Sequence, residues 1–453
     1  MKAINPFTNK VIKSYQNHSV FEVKHIIKEV DQAYKLWRET TFDERKNYLL
    51  KLENQLFTEQ NELADLMVAE MGKVKTEALG EIKKCAWVCR YYAENGAQFL
   101  KNESIKTEAS ESYVSFQPIG TVLAVMPWNF PFWQVFRFLA PTLMAGNTAV
   151  LKHASNVPGC ALAIEKLVVK AGFPQNVFRS LMINGKSVKQ VIENSKIKAV
   201  TLTGSTPAGK SVAQAAGSVL KKAVLELGGS DPYLILPDAD IHEAARLCVS
   251  SRLLNAGQSC IGAKRFIVHE KVYTDFRDAF VGLMQEAAFG DPMNEKTSIG
   301  PLARFDLRNE LHGQVSASVA KGAKVLCGAF IPDHEAAFYP PTVLENVNPG
   351  MPAYHEELFG PVASLIKVRS EEEAVKVAND TVFGLGAGIF TSDLNKGKLL
   401  AEKGLEAGCV FVNDFVKSDP RLPFGGIKES GYGRELSSFG IREFVNIKTV
   451  VIK

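Results

Sequence analysis

Long apolar runs are missing from this 453-residue chain. No uninterrupted stretch approaches the ~20 residues of a membrane-spanning helix. The opening Met1-Lys2-Ala3-Ile4-Asn5-Pro6 has no apolar core, so a secretory leader is not expected. An excess of one charge is also missing. The 53 basic and 49 acidic residues leave a net +4, which signals neither nucleic acid nor a membrane surface. There are only 7 cysteines, at positions 85, 89, 160, 248, 260, 327 and 409. An odd count and scattered spacing argue against a disulfide framework and fit reduced thiols in a cytoplasm. Cys85 and Cys89 lie four apart on a predicted helix. Two small residues on a half-buried face account for that spacing better than a metal pair, and no metal ligand is assigned. Repeats and low-complexity segments are absent. So is the Gly-x-Gly-x-x-Gly dinucleotide fingerprint.

What remains is an ordinary soluble composition, 46% hydrophobic and 23% charged. The length exceeds one core, so two or three domains are expected. Apolar residues at three-to-four spacing predict helices over 20–37, 42–57, 61–71 and 77–100. From Gly120 short apolar runs alternate with helix-length stretches. Runs at 121–126, 149–152, 199–203, 223–227 and 233–236 enclose helical patterns at 158–172 and 206–219. This alternation indicates an α/β chain with a parallel sheet covered on both faces. A second series follows Cys260: strands near 265–268, 362–368, 386–390 and 410–412, with helices at 272–289 and 371–379. The boundary is expected near Gly228. The last residues, 445–452, read as a strand.

Three chemical groups stand beside Gly or Pro turns. Cys260 lies in Gly257-Gln258-Ser259-Cys260-Ile261-Gly262-Ala263-Lys264-Arg265. Glu226 precedes Leu227-Gly228-Gly229 at the end of an apolar strand. Asn129 lies in Pro127-Trp128-Asn129-Phe130-Pro131. A thiol, a carboxylate and an amide donor are the parts needed for covalent attack on a carbonyl. No histidine near Cys260 offers to activate it as in a cysteine amidase. The turn Gly204-Ser205-Thr206-Pro207-Ala208-Gly209 follows a strand and opens a helix, a weak phosphate-binding signal by itself.

In this order, these motifs resemble the aldehyde dehydrogenase family nearly end to end. The resemblance implies a Rossmann-type cofactor domain over 1–228 with a bridging segment at 110–120. It further implies an α/β catalytic domain over 229–423, and a return at 424–453 ending in a small oligomerisation sheet. Cys260 is then the nucleophile, Asn129 and the Cys260 N–H bind the oxyanion, and Glu226 is the general base. Family members that pass the acyl group to coenzyme A lack that Glu, so hydrolysis to a free acid is expected. Trp128, Lys152, Gly204, Ser205, Leu227, Glu357 and Phe359 match cofactor positions. Ser155 stands where many NAD-preferring relatives carry Glu. Without that repulsion NADP is expected to be preferred, with NAD possible. His153 beside this site is given no chemistry.

Substrate is suggested by Arg137, eight residues after Asn129 on a predicted helix. Succinate-semialdehyde dehydrogenases are similar here and grip a carboxylate with an Arg at this spacing. A structural Arg capping a neighbouring helix is the plainer alternative. Ser418 falls near another substrate position, and Arg421 could assist. Leu254 occupies a position where some of these enzymes carry a second Arg; Arg252 is near but shifted. Gly262 replaces a second Cys, so a disulfide switch is not expected. The expected activity is oxidation of succinate semialdehyde, with glutarate semialdehyde or aliphatic aldehydes, or an idle protein on the same fold, as the alternatives. Strand edges in the terminal sheet call for a homodimer or homotetramer, with no nucleic-acid or membrane partner.

Overall fold

The computed structural model describes residues 1–453. Helices open where the caps demand. Ser19 and Glu22 form a capping box at the start of Val20–Trp37, and Thr41 and Glu44 form another at Phe42–Thr58.

A six-stranded sheet runs in the order Gly431–Tyr432, Lys222–Glu226, Ile197–Thr203, Thr121–Met126, Thr148–His153, Phe178–Ser180. All neighbours are parallel except Gly431–Tyr432. Thr148–His153 is buried at every position, which is why it reads as a continuous apolar run. The chain leaves Thr121–Met126 toward one side of the sheet and later returns on the other side as Ile197–Thr203. The crevice between these two strands at their C-terminal ends is the topological switch point, where open α/β sheets bind ligands.

A seven-stranded sheet follows, in the order Lys324–Cys327, Thr342–Glu345, Val362–Val368, Arg265–His269, Pro232–Ile235, Gly386–Phe390, Cys409–Val412. Pro232–Ile235 sits in its middle, parallel to Arg265–His269 and to Gly386–Phe390. The run at 233–236 therefore does not continue the first series: the change of sheet falls between Glu226 and Pro232. In a third sheet, Val445–Ile452 lies antiparallel to Glu111–Pro118, which also pairs with Glu103–Ser104.

Several elements are not apparent in the periodicity. The helix Trp133–Met144, on which Arg137 was expected, is buried at all its positions and has Pro141 inside it, so its bounds have no exposed polar face to mark them. Its start is held from outside: Glu81 on the helix Lys75–Phe99 accepts the Phe132 and Trp133 N–H groups at 2.8 and 2.9 Å. Glu81 also pairs with Lys73, and both side chains are almost fully buried. Cys85 and Cys89 lie in the core on the same helix.

This buried pair ties the Asn129 turn to the helical layer. Glu81→Ala leaves the Lys73 ammonium without a counter-charge and two N–H groups without an acceptor. Removing one member of a buried pair costs about 3–5 kcal/mol. Thermal unfolding should show a clear drop in Tm for Glu81→Ala and almost none for Glu402→Ala, whose partner Lys398 is 3.9 Å away on the surface. Equal shifts would refute the assignment.

Candidate active site

Cys260 rides on a strained turn. Asn255, Ala256 and Gly257 have φ of 56, 53 and 72°, three left-handed residues in succession. A Cβ on Gly257 would lie 2.2 Å from the Gly360 carbonyl oxygen, so only glycine fits there. Side chains hold the turn in place. Fully buried Arg252 donates to the Gly257 carbonyl at 2.5 Å. Lys264 donates to the carbonyls of Ser259, Cys260 and Gly262 at 3.1, 2.8 and 3.2 Å. Asn255 Nδ2 bridges the Asn129 and Gln258 carbonyls at 2.7 and 3.1 Å. The side-chain oxygen of Gln258 accepts the Ala303 N–H at 2.9 Å.

Two donors are left over beside the sulfur. The Cys260 N–H has no protein acceptor. Asn129 gives one amide hydrogen to the Gln258 carbonyl at 3.0 Å, which leaves the other free. An oxyanion formed on a carbon attached to Sγ would meet both. In the free protein the sulfur is a thiol. Burial pushes its pKa up to about 12, against the opposing pull of Arg137 and Lys264.

Two cavities meet at Cys260. The larger, about 390 Å³, occupies the switch point. Its lining includes Trp128, Asn129, Gly204, Ser205, Leu227 and Glu357, with Phe359 stacked edge-on to Trp128 at 5.8 Å. The helix Thr206–Ser218 opens into it, and N-cap Ser205 makes no side-chain cap bond, so first-turn N–H groups stay available to an anion. Glu357 accepts the Gly229 N–H at 3.1 Å and lies 3.4 Å from the Lys264 Nζ. Free helix-end donors, an aromatic pair and an acid deep in a narrow cleft fit the phosphates and ribose of a dinucleotide. Lys152 and Ser155 lie at and just beyond the end of the neighbouring strand Thr148–His153, outside this lining. Lys152 is buried without an acidic partner, and burial lowers its pKa; Ser155 is exposed. His153 is structural: Nε2 bonds the Pro131 carbonyl at 2.8 Å and Nδ1 accepts the Ala154 N–H at 2.9 Å. Burial drives its pKa down to about 4, so it stays neutral.

The second cavity, about 240 Å³, lies on the other side of the thiol. Arg137 and Ser418 both line it. Arg137, however, is ion-paired through Nε with Glu435, bonded to Thr203 Oγ1 at 3.2 Å and stacked over Phe424 at 4.9 Å. The expected carboxylate-gripping Arg is therefore already engaged. Leu254 lines the cavity; Arg252 is turned into the nucleophile turn instead. Arg421 pairs with Asp419 at 2.6 Å on the surface and does not reach the cavity. Glu226 is the other departure. Its carboxyl packs against Gly425, lines neither cavity, and has no hydrogen-bond partner on either oxygen. Burial, then the nearby Glu435, raises its pKa well above the carboxylate range.

The sequence model of the aldehyde dehydrogenase family matches residues 1–450. The chain belongs to this family. A probable NADP(+) succinate-semialdehyde dehydrogenase of Synechocystis sp. is 48% identical over 450 residues, 99% of each chain. The NADP(+) succinate-semialdehyde dehydrogenase 1 of Mycobacterium tuberculosis is 45% identical over 452 residues, again 99% of each. Among solved structures, the succinic semialdehyde dehydrogenase of Streptococcus pyogenes in complex with NADP+ superposes with a TM-score of 0.97 at 40% identity, covering 100% of this chain and 99% of that one.

For an aldehyde dehydrogenase, the residues that sequence reasoning missed are mostly supports. Lys264 and Arg252 lie within a few residues of Cys260, and Glu435 ends the Gly-rich segment, so proximity was a usable signal. Lys84, which also lines the second cavity, had no such signal on its amphipathic helix. One measurement follows from the raised thiol. Alkylation of Cys260 by iodoacetamide in cofactor-free protein should climb about tenfold per pH unit between neutral and mildly alkaline pH, because only thiolate reacts. Site-resolved mass spectrometry reads it, and a rate that levels off below about pH 9 would contradict the raised pKa.

Proposed function

We propose that the protein oxidises succinate semialdehyde to succinate with NADP, using Cys260, Asn129 and Glu226. The observation that carries this reading is a single thiol shared by two cavities. One cavity has the donors for a dinucleotide, and the other is lined by Lys84, Arg137 and Ser418, cationic and hydroxyl groups that suit an acid-bearing chain.

The Cys260 thiol loses its proton to water, Sγ adds to the aldehyde carbon as thiolate, and the carbonyl oxygen takes the charge. Asn129 Nδ2–H and the Cys260 N–H stabilise that oxyanion, whose electron pair drives hydride from carbon. NADP, when bound, supplies the hydride acceptor and a positive charge that favours the thiolate. The acyl group remains on Cys260 as a thioester. Glu226 then takes a proton from water, which attacks the thioester and frees succinate and the thiol. For this the Glu226 side chain must leave Gly425 and turn toward the sulfur. A raised pKa suits a base working near neutrality.

Preference for NADP is supported by neutral Ser155 beside an unpaired Lys152, and by the NADP(+) in the relatives' names. Trp128, Gly204, Ser205, Leu227, Glu357 and Phe359 complete the cofactor contacts. The chain divides functionally into cofactor (1–228), catalytic (229–423) and returning (424–453) parts. Val445–Ile452 leaves one edge unpaired with Ile447, Val451 and Ile452 exposed, which supports a homodimer or homotetramer. No helix is long and apolar enough to cross a membrane; the reduced thiols favour a cytoplasmic setting.

An absorbance assay for reduced cofactor tests the reading. Succinate semialdehyde with NADP should give a kcat/KM at least about tenfold above NAD and about tenfold above butanal. Cys260→Ser should lose about a thousandfold or more in kcat. Better turnover of butanal or of NAD would overturn the corresponding half of the assignment. Lys152→Met should raise KM for NADP more than for NAD; an equal rise would remove Lys152 from phosphate recognition.

A further inference from the structure

We propose that Lys84, with the Ser418 hydroxyl, is the group that binds the substrate carboxylate, and that Arg137, in the same cavity wall but ion-paired with Glu435, is a positioning residue. This rests on the semialdehyde reading above.

The helix Lys75–Phe99 turns Glu77, Gly80, Glu81 and Lys84 toward the 240 Å³ cavity, the three-to-four spacing of one face. Lys84 Nζ donates to Ser418 Oγ at 2.9 Å, and Trp133 Nε1 donates to the same oxygen at 3.1 Å. A hydroxyl that already accepts twice must still place its own hydrogen, and Ser418 donates to no protein group. Lys84 has two further N–H groups. One of its faces rests on the Trp133 ring, 4.4 Å from the centroid. Lys84 and Ser418 thus present three spare donors and a positive charge, in a cavity whose two carboxylates, Glu77 and Glu81, are bonded to other groups. An anion with two oxygens supplies what is missing.

The other charges around Lys84 are engaged. On its own helix Glu81 serves Lys73 and the Phe132 and Trp133 N–H groups, and Glu77 accepts the Asn255 N–H at 2.9 Å. On the helix Trp133–Met144, Arg137 pairs with Glu435. In the segment after Cys409–Val412, Asp419 pairs with Arg421 and Lys417 with Asp414, each within 2.8 Å. Lys84 is left with no carboxylate of its own. Burial, then the neighbouring Arg137, brings its pKa down to about 8. The ammonium is therefore present below that pH and lost above it, and carboxylate binding should weaken as pH rises through 8.

Wild-type kinetics come first. If succinate semialdehyde is not preferred over butanal, the semialdehyde reading itself fails. If it is preferred, Lys84→Met should cut that preference, taken as the ratio of the two kcat/KM values, by about 10- to 100-fold, through KM. Lys84→Arg should keep most of the preference. In wild type, KM for succinate semialdehyde should rise near pH 8 while KM for butanal stays flat, and Lys84→Arg should abolish that rise. An unchanged ratio in Lys84→Met, or a rise near pH 8 that persists in Lys84→Arg, overturns the role of Lys84 and leaves the activity assignment standing. Should Lys84→Met fail to fold, the pH profile of Lys84→Arg decides alone.

Discussion

The geometry depends on a backbone that would not hold its shape alone. Three left-handed residues precede the nucleophile, and each non-glycine one costs about 1–2 kcal/mol relative to ordinary backbone. They persist because Arg252, Lys264, Asn255 and Gln258 together satisfy the carbonyls of the turn and of the residues that follow. The strained turn aims the Cys260 N–H away from any protein acceptor and places the sulfur where two cavities join. Nucleophile, oxyanion site, cofactor cleft and substrate cavity all refer to this one turn. Buried cations serve as its scaffold, since a Lys or Arg enclosed in protein finds partners most readily in orphaned carbonyls.

Burial sets the electrostatics around it. It raises the pKa of the Cys260 thiol and of the Glu226 carboxyl alike, and at neutral pH the sulfur of the free protein is a thiol. A neutral thiol resists adventitious oxidation and alkylation. The Glu226 carboxyl, against Gly425, stays out of the lining of the larger cavity. Arg137 and Glu435 balance each other beside these groups, so Arg137 contributes field rather than a free fork. Recognition of an acid thereby passes to the half-buried Lys84.

Much of the fold and of the site is legible in the amino-acid order. The run Thr121–Met126 and the helix Val20–Trp37 have the expected bounds. The Asn129 and Cys260 segments, 129 residues apart between Asn129 and Gln258, are hydrogen-bonded to each other. Motif spacing singled out the turn that begins at Gly204-Ser205, and that turn lines the larger cavity. Other features were hidden. That Trp133–Met144 is buried on every side was hidden, because its polar residues suggested an exposed face. The run at 233–236 looked like a continuation of the first sheet because strand propensity does not say which neighbour a strand pairs with.

Arg137 and Lys84 show where the line falls. The amino-acid order by itself pointed to the family, to the alternation of strands and helices, and to a thiol and an arginine that the fold brings to one cavity. Those follow from local pattern and from motif chemistry, which act over a few residues. Only the tertiary structure decided which cation is free. Glu435 reaches Arg137 from near the other end of the chain, and Ser418 meets Lys84 across 334 positions. Ion pairing in a buried site depends on which groups packing brings within a few ångströms, and no local periodicity carries that information.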